Sequence, residues 1–277
     1  MTPPSIATVY DAYVASCENR ELVQHLFADP PRTIQEAALA IPSVVQQYRE
    51  REEWFSDKRM RELKRSLMAE NRRLGLLTPS VRQSIEQIDE GVVEAAHQSV
   101  VLGGPVFVLN KAATAVSIVR AAKQNGTRCV PFFCVADYDE VQSELTHIRV
   151  PLLGHAGHLV SIPVPESYEH SPVSVLPLPD DDWYNLVEDG IRESYRPLIK
   201  MLDDPVSRTL YLERLEHALM ITRGAFVRSN TLGEWGERVM GHLFNIEGDL
   251  GIPLFPASSP SLRRLWVKGM EFLLRAD

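Results

Sequence analysis

The sequence predicts an α/β chain with a helical N-terminal region and a short parallel sheet at its centre. Three observations predict it. Arg128 to Ala136 is a near-continuous apolar run, which suits a strand buried on both faces. Val106 to Lys123 has helical spacing, with Val108, Ala112, Ala115, Val116 and Val119 on one side, and Asn125-Gly126 stops it. Val92-Val93-Glu94-Ala95 reads as a short strand ahead of that helix. Strand, helix and strand in this order form a βαβ unit, the building block of a Rossmann-like core.

The elements around this unit follow in order. Thr33 can cap a helix beginning at Ile34, with Glu36 completing a capping box. Arg49 to Arg73 reads as one long, charge-laced helix with Trp54, Met60, Leu63 and Leu67 as its apolar stripe. Thr78-Pro79 starts another, from Val81 to Glu90. Past the βαβ unit, Leu152 to Val164 offers one or two strands, and Pro163 to Pro179 reads as a loop. Asp180, Asp181 and Asp182 precede a helix from Trp183 to Met201 and favour its positive end. Helices are expected at Pro205 to Val227 and Leu232 to Phe244, a short strand at Gly251 to Phe255, and a last helix at Ser261 to Arg275. The expected division is a helical region, 1–90, packed on a Rossmann-like α/β core, 91–277, with a helical insertion at about 180–245.

Composition bounds the function. The chain has 277 residues, 44% apolar and 24% charged, enough for a real core and unlike a disordered chain. A formal net charge of −8 and a pI near 5.6 argue against a general nucleic-acid binder. No run approaches the ~18 apolar residues of a membrane span. Met1-Thr2-Pro3-Pro4-Ser5 lacks a basic stretch followed by an apolar one, so no secretory leader is expected. Three scattered cysteines, Cys17, Cys129 and Cys134, build no disulfide framework and no metal site, and read as buried thiols. The expectation is a cytoplasmic protein acting on a small molecule, with no nucleic acid and no membrane partner.

Ligands of open α/β sheets bind beyond the carboxyl ends of the strands. Two loops fall there. The first holds His97, Gln98, Gly103 and Gly104, with Lys111 two turns into the following helix. Its glycines allow close backbone approach to an anion, although a tight strand-to-helix turn needs them as well. The second is Asp137-Tyr138-Asp139-Glu140, whose carboxylates could take an amine, a metal or sugar hydroxyls, or simply face water. His155-Ala156-Gly157-His158 has the H-x-G-H form of a nucleotidyltransferase motif, but a strand-like segment follows where that chemistry needs a helix.

The residues of these two loops resemble a known family, the bacillithiol biosynthesis enzymes, the cysteine-adding enzymes of that low-molecular-weight thiol pathway. One family pattern, T-G-Q-Q-x-G-L-F-x-G-P-x-Y-T-x-x-K, aligns with Ala95 to Lys111 and keeps Gln98, Gly104, Pro105, an aromatic at Phe107, and Lys111. The other, P-V-F-W-x-A-x-E-D-H-D followed by E-x-N-H, aligns with Pro131 to His147 and keeps Pro131, Phe133, Ala136, Asp139, Glu144 and His147. The departures are Ala96 and His97 in the first pattern, and Tyr138, Glu140 and Val141 in the second.

The resemblance implies a ligase-like reaction in which cysteine, or a similar amino acid, is joined to an amino sugar such as glucosaminyl malate. It implies that Asp139 holds the amine and that His147 acts as acid or base. It further implies that His97, Gln98, Gly103, Gly104, Lys111, Glu140 and Glu144 bind substrate, with the glycine N–H groups holding an anion. Activating a carboxylate would call for ATP or another nucleotide, but the sequence shows no phosphate site, and the cofactor stays unknown. Family members are longer, with a helical continuation beyond the point matching Asp277. A fragment and a short form both stay open, as does a homo-oligomer or second subunit completing the fold. With the departures in the second pattern, the expectation is that the chain alone does not complete the cysteine-adding reaction. A different class also stays open: a non-catalytic binding or assembly protein with a degenerate pocket.

Overall fold

The computed structural model describes residues 31–49, 56–153 and 157–273. Helix α1 (Ile34–Arg49) begins at Thr33, whose hydroxyl accepts the Glu36 N–H at 3.1 Å, while the Glu36 carboxylate accepts the Arg32 N–H at 2.7 Å. Helix α2 (Asp57–Arg73) starts afresh, with Ser56 accepting the Arg59 N–H. The helix expected from Arg49 to Arg73 is described from Asp57 on, and Trp54 lies outside the described residues. Helix α3 (Pro79–Glu86) is capped by Thr78 and ends in a tight turn, Ile88–Glu90, so it is shorter than expected.

The βαβ unit follows as β1 (Val92–Gln98), α4 (Phe107–Gln124) and β2 (Val130–Ala136). Strand β1 runs three residues past its expected end, so His97 and Gln98 are strand residues rather than loop residues. A short helix α5 (Ser143–Thr146) then leads into the hairpin β3 (His147–Val150) and β4 (His158–Ser161). Helices α6 (Asp181–Lys200), α7 (Pro205–Phe226) and α8 (Leu232–His242) precede β5 (Leu254–Pro256) and α9 (Pro260–Leu273). Asp180, expected at the positive end of α6, accepts the Trp183 N–H, and Asp204 caps α7 by accepting from Val206 and Ser207.

The sheet has the order β1-β2-β5 and is parallel throughout. Val92 lies opposite Val130 and Gln98 opposite Ala136, so the predicted neighbours are neighbours, joined by the predicted helix. Alternation sends Phe133 and Val135 to one face, where α4 and α8 cover them with Val108, Ala112, Met240 and Phe244. It sends Phe132 and Cys134 to the other, where α2, α3 and α9 contribute Leu67, Val81, Ile85 and Leu262. Helix α1 instead packs beside α4 through Ala38 and Ile41 against Val119 and Ala122. Helices α1 and α2 thus belong to different parts of the core.

Side chains bond to the backbone at both edges of this small sheet. On β1, the Lys111 ammonium donates to the Ala96 carbonyl at 3.0 Å. On β5, buried Asn71 donates to the Leu254 carbonyl at 2.9 Å and accepts the Leu254 N–H at 3.0 Å. Asn245 does the same for Ile252. Leu254 is thereby satisfied at both backbone groups, and Ala96 at its carbonyl, without a further strand.

The excursion between β2 and β5 builds its own core around Trp235, Tyr184 and Phe226, with ring centroids 4.4 Å apart for Tyr184 and Phe226 and 5.3 Å for Phe226 and Trp235. The polar ends of the two larger rings are satisfied: Trp235 Nε1 donates to the Thr222 carbonyl, and the Tyr184 hydroxyl to Thr222 Oγ1. Val100, Val101, Val160 and Val173 join this core, which ties the hairpin and the first loop together beyond the carboxyl edge of the sheet.

Candidate functional site

Parallel pairing places the ends of β1 and β2 side by side, so His97, Gln98 and the 137–141 segment share one edge. The segment is held there by a short ladder. Ser174 and Val173 donate their N–H groups to the Asp137 and Asp139 carbonyls, and the Val141 N–H donates to Ser171. The Val141 side chain packs against the Trp235 core. Where the family pattern has an acid, this chain has a packing residue.

Asp139 is half-buried, and its carboxylate makes no hydrogen bond or ion pair among the described residues. The half-buried Gln98 amide and the exposed Glu144 carboxylate are likewise unpartnered there. Glu140 is not: its Oε1 lies 2.5 Å from His170 Nδ1 in the facing turn, and the Glu140 carboxylate raises the His170 imidazole above its usual range. Lys111 is spent on the edge carbonyl of Ala96, and its ammonium stands 5.5 Å from the Phe107 ring centroid.

The two histidines differ. His147 Nδ1 lies 2.9 Å from the Ser143 carbonyl, which can only accept, so Nδ1 carries a proton. Its Nε2 lies 2.9 Å from the Ser161 hydroxyl, so both ring nitrogens are engaged by the hairpin. His97 Nδ1 lies 2.9 Å from the Gln98 carbonyl, leaving Nε2 without a partner among the described residues. Its ring leans on Phe107 at a centroid distance of 5.0 Å. Burial, with the Lys111 ammonium nearby, lowers its pKa, against the opposing pull of the Gln98 carbonyl and the Glu144 carboxylate. His97 therefore presents an open nitrogen on a neutral ring near pH 7.

The two glycines serve the turn. Both have a left-handed backbone, φ +80° at Gly103 and +85° at Gly104. A Cβ on Gly103 would stand 2.5 Å from Val239 Cγ1 of α8. Their N–H groups donate to the Val100 and Val101 carbonyls at 3.0 and 3.2 Å. The donors expected to hold an anion are thus spent inside the turn, and this turn does not fit a phosphate group. The H-x-G-H segment is absorbed by packing too: His158 opens strand β4 and lies against Gly190 of α6, while His155 lies outside the described residues.

Beneath the edge lies a group the sequence reading passed over. Asp137 is buried and accepts from the Ser258 N–H at 2.7 Å and from the Ser258 hydroxyl, joining the ends of β2 and β5. Glu237 of α8, 2% exposed, faces Asp137, and Arg73 stands 3.5 Å away. Burial and the Asp137 carboxylate push Glu237 well above the usual carboxylate range, against the pull of Arg73. A legible signal existed. Gly233, Gly236 and Gly241 mark a helix face packed too closely for a Cβ, and Glu237 sits within it. Among the described residues, no group of three or more His, Cys, Asp or Glu side chains is placed to hold a metal ion.

Comparison with known proteins decides the family. The model of the bacillithiol biosynthesis BshC N-terminal Rossmann-like domain matches residues 13–276. The chain belongs to the BshC family. A BshC protein of Exiguobacterium sibiricum, named "Putative cysteine ligase BshC", is 26% identical over 213 residues, covering 76% of this chain and 37% of that protein. The chain thus spans about a third of the length of this curated BshC relative. The parallel βαβ core is the Rossmann-like feature that the family description names, and no described helix is long and apolar enough to cross a membrane.

Proposed function

We propose that this chain is the substrate-holding module of a diverged bacillithiol-type ligase, taking an amino-sugar acceptor such as glucosaminyl malate at the carboxyl edge of β1 and β2. The observation that carries the reading is Asp139: a half-buried carboxylate, unpartnered among the described residues, at the edge where open α/β sheets bind ligands. An unpaired carboxylate in such a place is stabilised by a cationic amine. The Gln98 amide is available to the acceptor's hydroxyls, and Glu144 adds negative charge beside His97.

Amide formation requires the acceptor ammonium to lose a proton before its nitrogen attacks the carbonyl carbon of an already activated acyl donor, whose C–O bond to the activating group breaks as the C–N bond forms. His97 is the better base, because its ring is neutral near pH 7 and Nε2 is open. His147, engaged at both nitrogens, positions the hairpin instead. The 99–105 turn offers no cradle for phosphates, and no step is assigned to a nucleotide. Tyr138, the Glu140–His170 pair and packed Val141 support an altered specificity relative to the family pattern.

Isothermal titration of glucosaminyl malate into the protein tests the reading. Saturable binding, weakened at least fivefold by Asp139→Asn with an unchanged thermal melt, is expected. Absence of binding at millimolar acceptor, or equal binding by the Asn variant, overturns it.

A further inference from the structure

A second cavity, of about 570 Å³, lies on the other face of the sheet, toward the amino end of β1 and away from the edge just described. It exists because α2, α3 and α9 cover β2 and β5 on this face, while α1 turns aside to pack on α4. Among the described residues, no helix crosses the face of β1 beside Val92 and Glu94. The size is that of a small-molecule site.

Its lining divides cleanly. Phe132, Phe255, Met60 and Leu63 form an apolar body. Arg49 and Arg59 bring two guanidinium groups to its wall. The Arg49 fork spends one N–H on the Asp89 carbonyl at 3.2 Å, out of five donors. The Asp89 carboxylate is held by Lys64 at 2.6 Å, so Arg49 shares that acid with the Lys64 ammonium. Glu94 is the remaining acid of the lining and has no partner among the described residues. The desolvating wall pushes its carboxyl up, toward the neutral form that donates rather than repels.

We propose that this cavity is a binding site for an amphipathic anion, a carboxylate or sulfonate with an apolar body. The apolar part lies on Phe132, Phe255, Met60 and Leu63, and the anionic head meets Arg49 and Arg59. Arginine at the mouth of an apolar pocket is the arrangement that recognises planar anions by paired donors. The Cys134 thiol stands in the same lining and is pushed up to about 11 by burial, with Glu94 and Asp137 adding to the shift. It therefore reacts slowly and serves as a local reporter.

The test uses decanoate, decylammonium and the fluorescent sulfonate 8-anilinonaphthalene-1-sulfonate on the intact chain. The sulfonate is expected to bind saturably, and decanoate to displace it at least fivefold more effectively than decylammonium. Decanoate is expected to slow N-ethylmaleimide labelling of Cys134, read by peptide mass spectrometry. Arg49→Ala should weaken the sulfonate at least fivefold, and Arg49→Lys should restore part of the loss. Arg59→Ala, on the same wall, gives an independent reading should Arg49→Ala melt early. Equal displacement by decylammonium, unchanged Cys134 labelling, or parental sulfonate affinity in the arginine variants overturns the proposal. None of these readouts involves the acceptor, so failure here is separate from failure of the proposed function.

Discussion

Replacing Glu237 by glutamine probes the proton held beneath the candidate site. Glu237 is 2% exposed and faces the Asp137 carboxylate, with Arg73 3.5 Å away. Burial and Asp137 raise its carboxyl far above the usual carboxylate range. The folded chain keeps this proton at pH values where the unfolded chain has lost it. A raised folded value makes the contribution of Glu237 complete below the unfolded value and progressively lost as pH climbs through the folded one. Each unit of elevation corresponds to about 1.4 kcal/mol of that loss. Glutamine has nearly the same shape, donates to Asp137 through its amide and does not titrate. At pH 5 the variant should lie within about 1 kcal/mol of the parent, the scale of one exchanged hydrogen bond. By pH 8 it should be the more stable of the two. Urea denaturation followed by tryptophan fluorescence at pH 5, 6.5 and 8 measures this, since Trp235 sits on the same helix. Stability curves that run parallel from pH 5 to 8 would refute the shared-proton account.

Other consequences follow from the same coordinates. Gly103→Ala forces a Cβ into Val239 at a left-handed position and should cost about 2–4 kcal/mol, seen as a lowered Tm. Asn71→Ala orphans both backbone groups of Leu254 and should cost about 2–4 kcal/mol by the same urea assay, whereas a loss under 1 kcal/mol would show that water satisfies β5. His97→Gln should lower any acyl-transfer activity at least tenfold while leaving acceptor affinity within threefold, and His147→Gln should instead lower Tm. Given cysteine, ATP and glucosaminyl malate, the chain alone should form cysteinyl product far more slowly than on the order of 1 per second, as read by mass spectrometry.

Much of the fold was legible because local chemistry and packing agree. The apolar run from Val130 to Ala136, the spacing from Val108 to Val119 and the caps at Thr33, Thr78 and Asp180 each specify one structure. The start of α2 was misplaced because charged helix formers run on both sides of Ser56, whose side chain caps the helix by accepting the Arg59 N–H. The end of β1 was misjudged because His97 and Gln98 are polar, while an edge strand at its carboxyl end tolerates polar residues. The site was legible in part. Motif resemblance singled out Asp139, His97 and Gln98, which lie at one edge. It could not tell that the Gly103 and Gly104 N–H groups close on Val100 and Val101, because glycines look alike whether they serve a turn or an anion. Nor could it pair Asp137 with Glu237, separated by nearly the whole excursion and joined only when α8 packs under the edge.

The central claim is that the acceptor sits at the carboxyl edge of β1 and β2. Amide hydrogen exchange with and without saturating glucosaminyl malate tests it most directly. The account predicts slowed exchange in 97–107 and 137–147, with the Val44–Arg49 and Met60–Leu63 stretches around the second cavity unchanged. Protection confined to those cavity stretches, or an exchange pattern indifferent to the acceptor, would contradict it.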